Sequence, residues 1–477
     1  MSLIKNSILY LISTILVKAT TFFLLPVYSY MVSPEEYGYV YIVAASTQLL
    51  MLLMQLSTQV CISRFLFDCK NNDEVKLLYS TVVITAVVFS TLIFVVVWLC
   101  GDTIANVINL PLKYFRLACL IPYIGLFYNL ILSLLYARQD AKKVSLTSST
   151  IGIINIVIQV ILVYEMEDKA MALIISMLVN SIITFLIFLF YSYPYFVFKY
   201  DYSRIKSYLY YAISQIPSDL SAWLVSFTDR IVINKYIGPA ETGIYGIGST
   251  IGNIPSVVYT SMNQAYVPYA YSNFKLIEKS DNTAHNNIVN TTEILSGIVI
   301  MLITLFVIFS NNIVCLFSSS YASSSFIVVV MLIASLFDIF RIIYMQPLCF
   351  NVKFTKIKSA IWLFSGIINM GLNFLVIPKY GIYGGCLTSL VTYIVTFFLL
   401  LYFSKKAIPL SYRWINVWKV VIISIIMFPL IFLGNSMLVF ILKATAYLSY
   451  IVLCDKILKL NIKNKIISHV KFFSYKH

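Results

Sequence analysis

Residues 77–100 read LLYSTVVITAVVFSTLIFVVVWLC, a run of 24 residues without one charged side chain. A helix needs about 20 predominantly apolar residues to cross the hydrocarbon core of a bilayer, so this run is long enough to span it. The apolar residues are continuous rather than alternating, which favours a helix over a strand of a membrane β-barrel. The stretch therefore predicts a transmembrane helix, and similar stretches recur along the chain.

The composition agrees with a membrane protein and excludes the common soluble classes. The 477 residues are 60% hydrophobic and 11% charged, with a mean hydropathy of +0.89. Soluble domains are about 25% charged, and disordered chains are much less hydrophobic than this one. The formal net charge is +15, but so few charged residues cannot form a basic nucleic-acid-binding face.

Fourteen apolar stretches are predicted to cross the membrane as helices, and their connections are too short for a folded extramembrane domain. The predicted fold class is therefore an all-α integral membrane protein. We expect residues 1–205 to form a lobe of six helices, residues 206–405 a second lobe of six, and residues 406–477 two further helices and a basic tail. The predicted spans are 7–31, 39–63, 77–100, 116–136, 145–164, 170–191, 207–234, 243–270, 288–309, 326–350, 359–377, 382–403, 417–434 and 436–455.

The basic residues predict the orientation of these spans. Of the 34 lysines and arginines, 25 fall on the N-terminal side of the membrane, five on the opposite side and four within spans. Cytoplasmic loops of membrane proteins are enriched in Lys and Arg, so both termini are predicted to be cytoplasmic. The first span is too long for the apolar core of a signal peptide, and we expect it to remain in the protein.

A short motif recurs before two of the spans. Residues 34–38 read PEEYG and precede the second span, and residues 239–243 read PAETG and precede the eighth, 205 residues later. An interval of six spans gives two halves of parallel orientation, as in many transporters whose substrate path lies between the halves. The alternative is that Pro and Gly merely mark turns.

Polar side chains within the first two spans are functional candidates, because a charge at the centre of a membrane helix costs about 2.5–3.5 kcal/mol. Lys18 supplies a point charge that suits a phosphate, or it forms a structural pair with an acid of another span. Gln48, Gln55 and Gln59 fall on one narrow stripe of a helical wheel over span 39–63. Such amides suit sugar hydroxyls, but they also hydrogen-bond neighbouring helices.

The seventh span is the most polar. Asp219, Trp223 and Arg230 fall on one face, which they share with Gln215 and Ser226. An acid, an aromatic ring and a guanidinium on one face suit a sugar phosphate or a coupling ion. In the alternative interpretation, Arg230 and its neighbour Asp229 lie near the outer membrane edge and extend into water.

Charged and amide side chains in later spans are interpreted mainly as structural. Asp338 and Arg341 in the tenth span have the spacing of a salt bridge, and a structural pair is favoured slightly over a binding role. Asn369 and Asn373 in the eleventh span are interpreted as packing contacts. The sequence contains no motif for ATP hydrolysis, metalloprotease chemistry or metal binding, so no catalytic or metal-ligating residue is predicted.

Four segments carry a resemblance to a known family. They are residues 5–10 (KNSILY), 23–28 (FLLPVY), 33–38 (SPEEYG) and 377–385 (IPKYGIYGG). Together they resemble the polysaccharide-transporter branch of the MOP (multidrug/oligosaccharidyl-lipid/polysaccharide) exporter superfamily, and more narrowly the Wzx-type O-antigen flippases. The resemblance implies a MATE-like arrangement of two six-helix lobes plus two C-terminal helices.

The resemblance also implies a function in the bacterial inner membrane. Such a flippase moves undecaprenyl-diphosphate-linked O-antigen repeat units from the cytoplasmic to the periplasmic leaflet by alternating access. Its partners would be this lipid-linked oligosaccharide, the bilayer and other O-antigen assembly proteins. Lys18 and Arg230 match the cationic lining of that family, and Asp219 and Asp338 are candidates for coupling. No cofactor is expected, and coupling to H⁺ or Na⁺ is left open.

Two other functions are left open. A cation-coupled drug antiporter of the same superfamily is disfavoured because the spans hold four basic residues against Asp219, Asp229 and Asp338. A membrane O-antigen polymerase is disfavoured because the longest predicted periplasmic connections have only about 15 residues and carry little charge. The chain is therefore not predicted to be an enzyme.

Overall fold

The computed structural model describes residues 23–458 except Arg413 and Asn435, and it leaves the side chains of Ala141, Ser261, Ala265 and Val352 undescribed. The structure is 87% helical, and its described residues form no strand. The main helices are α1 (Pro34–Gln55), α2 (Gln59–Phe65), α3 (Asn72–Leu99), α4 (Gly101–Val107), α5 (Leu112–Ala137), α6 (Ala141–Glu165), α7 (Lys169–Ser192), α8 (Ile205–Tyr236), α9 (Pro239–Gly252), α10 (Ile254–Ile277), α11 (Asn282–Ile308), α12 (Ser310–Val314), α13 (Ser324–Phe350), α14 (Thr355–Ala407), α15 (Trp414–Met427) and α16 (Met437–Leu458).

These helices confirm an all-α, multi-pass membrane protein. Within the described ranges, ten helices are long and apolar enough to cross a bilayer. The helices α8 and α10 have sufficient length but carry more polar side chains, and α14 is counted once although it contains two predicted spans. The total of fourteen spans stays a prediction.

The long helix α14 reverses direction at Gly381, where φ is 59°. Asn369 Nδ2 donates to Thr392 Oγ1 at 3.2 Å, and Asn373 accepts from Thr388, so the two arms lie antiparallel. All four side chains are buried. The interpretation of Asn369 and Asn373 as packing contacts is therefore confirmed, and the arms correspond to the eleventh and twelfth predicted spans.

Other predicted spans are interrupted. Span 39–63 consists of α1 and α2, because Leu56 and Ser57 have φ values of 47° and 55° and end the first helix. Span 243–270 likewise consists of α9 and α10, which are separated at Asn253. A continuous apolar run fixes the length of a membrane segment, but it does not show whether the backbone within that segment stays helical.

The helices group into two compact units. The first comprises the described chain up to Ile247 with Phe317–Ser323 and Ser359–Thr392; the second comprises Gly248–Leu316, Ser324–Lys358 and the described chain from Tyr393 onwards. In the first unit α5 packs against α7 and α1, and α1 packs against α8. In the second, α11 packs against α10, α13 and α15. These units reflect packing, and the predicted division into lobes at residues 205 and 405 stays a prediction.

Helix α1 begins at a capping box, which fixes the position of the PEEYG motif. The Ser33 hydroxyl accepts from the Glu36 amide, and Glu36 Oε2 accepts from the Ser33 amide at 2.9 Å. These bonds satisfy two amides that a helix start leaves unpaired. Glu36 Oε1 also accepts from the backbone amide of Lys169 at 2.9 Å, so the same carboxylate ties α1 to the start of α7.

Candidate substrate cavity

A polar cavity of about 340 Å³ lies between α1, α2, α5 and α8 in the first unit. Its volume is within the range of about 300–1,000 Å³ that is typical of ligand pockets. The lining combines four amide side chains, one carboxylate and two aromatic rings with smaller residues. The lining residues are Gln48, Met51, Leu52, Gln55, Ser57, Gln59, Asn129, Asp219, Ala222, Trp223, Ser226 and Phe227.

The break between α1 and α2 forms one wall of this cavity. At the break, Ser57 Oγ donates to Asp219 Oδ2 at 2.6 Å, which joins the unwound segment to α8. Left-handed backbone is strained for residues other than glycine, and such strain is often found at functional sites. A hydrogen bond to a carboxylate is among the stronger kinds, so this contact holds the Asp219 side chain in the cavity wall.

The three glutamines predicted from the helical wheel all line the cavity, although the wheel itself was wrong. It assumed one continuous helix over 39–63, and the break at Leu56–Ser57 moves Gln59 onto a second helix. Gln55 is 5% exposed and donates to the Leu126 carbonyl at 3.4 Å. The buried Gln59 Oε1 has no hydrogen-bond partner among the described residues, so it is available to a ligand donor.

The polar face of the seventh span is only partly in the cavity. Asp219, Trp223 and Ser226 line it, and Trp223 Nε1 donates to the Ala45 carbonyl at 3.0 Å. Gln215 does not line the cavity; its amide nitrogen lies 3.4 Å from Ser214 Oγ. Trp223 and Phe227 stack at 6.4 Å between ring centroids, which provides a flat apolar surface beside the amides.

Arg230 lies beside the lining without belonging to it. Its Nη1 donates to the Ser226 carbonyl at 2.6 Å, and the guanidinium lies 5.2 Å from the centroid of the Phe227 ring. Both contacts are with residues that line the cavity. The neighbouring Asp229 is 4% exposed and accepts a hydrogen bond from the Tyr245 hydroxyl. The interpretation that Asp229 extends into water is therefore wrong.

The remaining predicted site residues are located elsewhere. Lys18 lies outside the described residues. Asp338 and Arg341 belong to the second unit, where Arg341 Nε donates to Asp338 Oδ1 at 2.6 Å and Ser256 Oγ donates to Asp338 Oδ2. Arg341 is 5% exposed, and its guanidinium lies 4.3 Å from the centroid of the Tyr393 ring. The predicted salt bridge is present, with 6% of the Arg341 side chain and 15% of the Asp338 side chain exposed, and its structural role stays a prediction.

Sequence reasoning missed Ser57 and Asn129. Asn129 is the one amide in span 116–136, a signal that could have been recognised. Ser57 acquires its position from the left-handed backbone between α1 and α2, and no local pattern in the apolar run indicates that break.

The two recurring motifs meet directly within the first unit. A Cβ atom added to Gly38 would overlap the Pro239 carbonyl, and one added to Gly243 would overlap the Pro34 carbonyl. The contact is reciprocal: each motif's glycine faces the other motif's first residue. Such a reciprocal arrangement is expected of two related halves, and it supports the interpretation of PEEYG and PAETG as a repeat.

Comparison with solved structures identifies the class of fold. The chain is similar to the lipid II flippase MurJ in an inward closed conformation, with 16% identity, a TM-score of 0.73, and coverage of 95% of this chain and 99% of that one. It is also similar to an inward-facing MATE multidrug resistance transporter of the MOP superfamily, with 15% identity, a TM-score of 0.62, and coverage of 86% and 95%. The protein therefore has the fold of these two structures, which confirms the predicted MATE-like fold class.

Sequence comparison then gives the family. The family described as polysaccharide biosynthesis protein matches residues 3–274, more than half of the chain, and this chain belongs to it. A curated relative, "Lsg locus putative protein 1" of Haemophilus influenzae, is 23% identical over 287 residues, which cover 58% of this chain and 67% of the relative. The resemblance to the polysaccharide-transporter branch is confirmed at this level.

Proposed function

We propose that this protein is a flippase that moves undecaprenyl-diphosphate-linked O-antigen repeat units from the cytoplasmic to the periplasmic leaflet of the bacterial inner membrane. The observation that carries the proposal is the cavity lined by four amide side chains with Trp223 and Phe227 beside them. Amides donate to and accept from sugar hydroxyls, and an aromatic face packs against a sugar ring. Membership of the polysaccharide biosynthesis family supports a saccharide as the substrate.

The charged residues indicate where the sugars and the diphosphate of such a substrate would each bind. Among the described lining residues the one charged side chain is Asp219, so the amide-rich cavity itself suits the neutral sugars. The diphosphate would meet Arg230 at the edge of the cavity and Lys18 in the first span, while the polyprenyl chain stays in the bilayer. Transport would follow alternating access, in which the cavity opens to one side of the membrane at a time.

A test of this assignment uses variants of the predicted phosphate contacts. In a strain that displays O-antigen, Arg230→Ala and Lys18→Ala should each abolish display while the protein still inserts at wild-type abundance. The matched controls are Arg64→Ala and Lys235→Ala, which remove exposed basic residues outside the cavity and should leave display unchanged. Normal display in both test variants would contradict the assignment of the diphosphate site.

A second candidate function is a cation-coupled antiporter for drugs or other small molecules. One observation favours it: Asp219 is the one charged residue among the described lining residues. A carboxylate without a neighbouring cation in the lining would attract a cationic substrate. The two candidates separate with Asp219→Asn. A flippase for anionic substrates should lose at most its coupling to H⁺ or Na⁺, whereas a cation exporter should lose affinity for its substrate. Wild-type resistance of a deletion strain to cationic drugs would argue against the antiporter.

A further inference from the structure

A lysine is buried on the packing face of an otherwise exposed helix. In α16 the exposed apolar residues include Leu438 and Val452, whose exposed fractions are 81% and 56%. The buried positions are Lys443, Tyr450, Cys454 and Leu458, which form one narrow face. Lys443 has an exposed fraction of 0%, so its ammonium group does not reach water. This lysine belongs to no cavity or site described above.

The ammonium group of Lys443 is not neutralised by the described residues around it. Nζ donates to Asn312 Oδ1 at 3.0 Å, and within the described part of the chain no carboxylate lies within salt-bridge distance. A buried cation is costly unless an anion accompanies it, and a neutral carboxamide supplies only a partial charge. Lys443 is six residues beyond the start of α16, about 9 Å along the helix axis, close to the predicted outer surface.

A groove adjoins this pair at the surface of the second unit. It measures about 530 Å³ and is lined by Asn312 together with Leu305, Phe309, Ile313, Leu316 and Phe440. Phe309 and Phe440 meet at 5.2 Å between ring centroids, and Phe440 is 48% exposed. The groove is thus apolar except at Asn312, the residue that also accepts the hydrogen bond from Lys443.

We propose that this groove binds one anionic phospholipid, with an acyl chain on Phe309 and Phe440 and the phosphate at Lys443, in the position that the Asn312 carboxamide occupies in the absence of lipid. The groove is apolar apart from Asn312, and the ammonium group of Lys443 lies buried directly behind that side chain, which matches a molecule with an apolar tail and an anionic head. Rotation of the Asn312 carboxamide away from Nζ lets the phosphate take its place. The proposal concerns a resident lipid of the bilayer and does not depend on the transported substrate.

The test is native mass spectrometry of the full-length protein with phosphatidylglycerol as the anionic lipid and phosphatidylethanolamine as the zwitterionic comparison. Removing one charge-assisted contact with Lys443→Gln should lower the occupancy of the tightest phosphatidylglycerol site roughly tenfold. Lys443→Arg should retain it. The matched control Lys379→Gln removes an exposed lysine on the same predicted side of the membrane and should keep the wild-type phosphatidylglycerol occupancy. Occupancy in Lys443→Gln equal to wild type overturns the proposal.

A stability measurement covers the case in which Lys443→Gln does not fold. Asn312→Ala removes the competing carboxamide but keeps the cation, so added phosphatidylglycerol should still raise its melting temperature, as in wild type. Phosphatidylethanolamine should not raise the melting temperature of either protein. If the melting temperature of Asn312→Ala and of wild type is unchanged by phosphatidylglycerol, the lysine has a purely structural role and the lipid site is refuted.

Discussion

The two motifs, PEEYG and PAETG, touch at Gly38 and Gly243. This contact predicts how a larger residue at either glycine shifts the equilibrium between a conformation in which the motifs touch and one in which they are apart. Gly38→Ala places a methyl group where the Pro239 carbonyl lies, and Gly243→Ala places one against the Pro34 carbonyl. In both cases the obstructing atoms are backbone, which cannot rotate away as a side chain does. The starts of α1 and α9 must therefore separate by at least about 1 Å to restore ordinary contact distances.

The energetic size of this effect follows from the cost of overpacking. Extra methyl groups in a packed core cost about 1–3 kcal/mol. That cost applies to the conformation in which the motifs touch, and it disappears in a conformation in which they are apart. Each variant should therefore shift the equilibrium toward the separated state roughly 5- to 150-fold, since 1.4 kcal/mol corresponds to a factor of ten.

The assay is cysteine accessibility in intact cells. The exposed Cys100 and Cys315 are first replaced by serine to remove their own reaction with the reagent. Thr242 is fully buried beside the contact, so Thr242→Cys in this background should react slowly with an impermeant maleimide. Adding Gly38→Ala should increase the labelling rate. Ala240 is exposed, so Ala240→Cys gives the rate of full labelling. Gly371 has open space around it, so Gly371→Ala is the matched control for the glycine substitutions and should leave the labelling of Thr242→Cys unchanged. Unchanged labelling with both glycine variants would refute the reasoning.

Two further predictions concern the hydrogen bonds of polar side chains. Ser57→Ala removes the 2.6 Å bond to Asp219, and because hydrogen bonds to charged groups contribute about 1.5–3 kcal/mol to stability, the melting temperature in detergent should fall. Ser63→Ala, which removes a longer bond of 3.4 Å to the Ser133 carbonyl outside the cavity, should lower the melting temperature less. Arg341→Met leaves the Asp338 carboxylate enclosed without its cation and should destabilise the protein by about 3–5 kcal/mol, seen as a lower melting temperature in detergent. The double variant Asp338→Leu with Arg341→Met should recover much of that loss; no recovery would contradict a structural pair.

Much of the architecture could be predicted because a bilayer imposes simple requirements on sequence. Apolar runs of about 20 residues have few alternatives to a membrane helix, and the described helices overlap every predicted span from 39–63 onwards. The prediction erred where backbone geometry changes within a run. Leu56 and Ser57 are left-handed without a glycine, so hydrophobicity alone gives no sign of the break. Gly381, by contrast, allows the left-handed turn of α14 and was recognisable from the sequence.

The site was predictable in composition but not in geometry. Rare polar residues in apolar spans led to Gln48, Gln55, Gln59, Asp219 and Trp223, which the structure brings to one cavity. The same rule also selected Asp338 and Arg341, which pair with each other in the second unit, because a helical wheel does not show which side chains surround a charged residue. Ser57 and Asn129 became visible only when the break and the helix packing placed them on the cavity wall.

Two properties define the proposed flippase: the direction of transport and the nature of the transported molecule. The most direct measurement is the leaflet on which lipid-linked repeat units accumulate when the gene is deleted in an O-antigen-producing strain. We expect single undecaprenyl-diphosphate-linked units that are confined to the cytoplasmic leaflet and that disappear when the wild-type gene is restored. Accumulation of unpolymerised units on the periplasmic leaflet would contradict a flippase and indicate a polymerase.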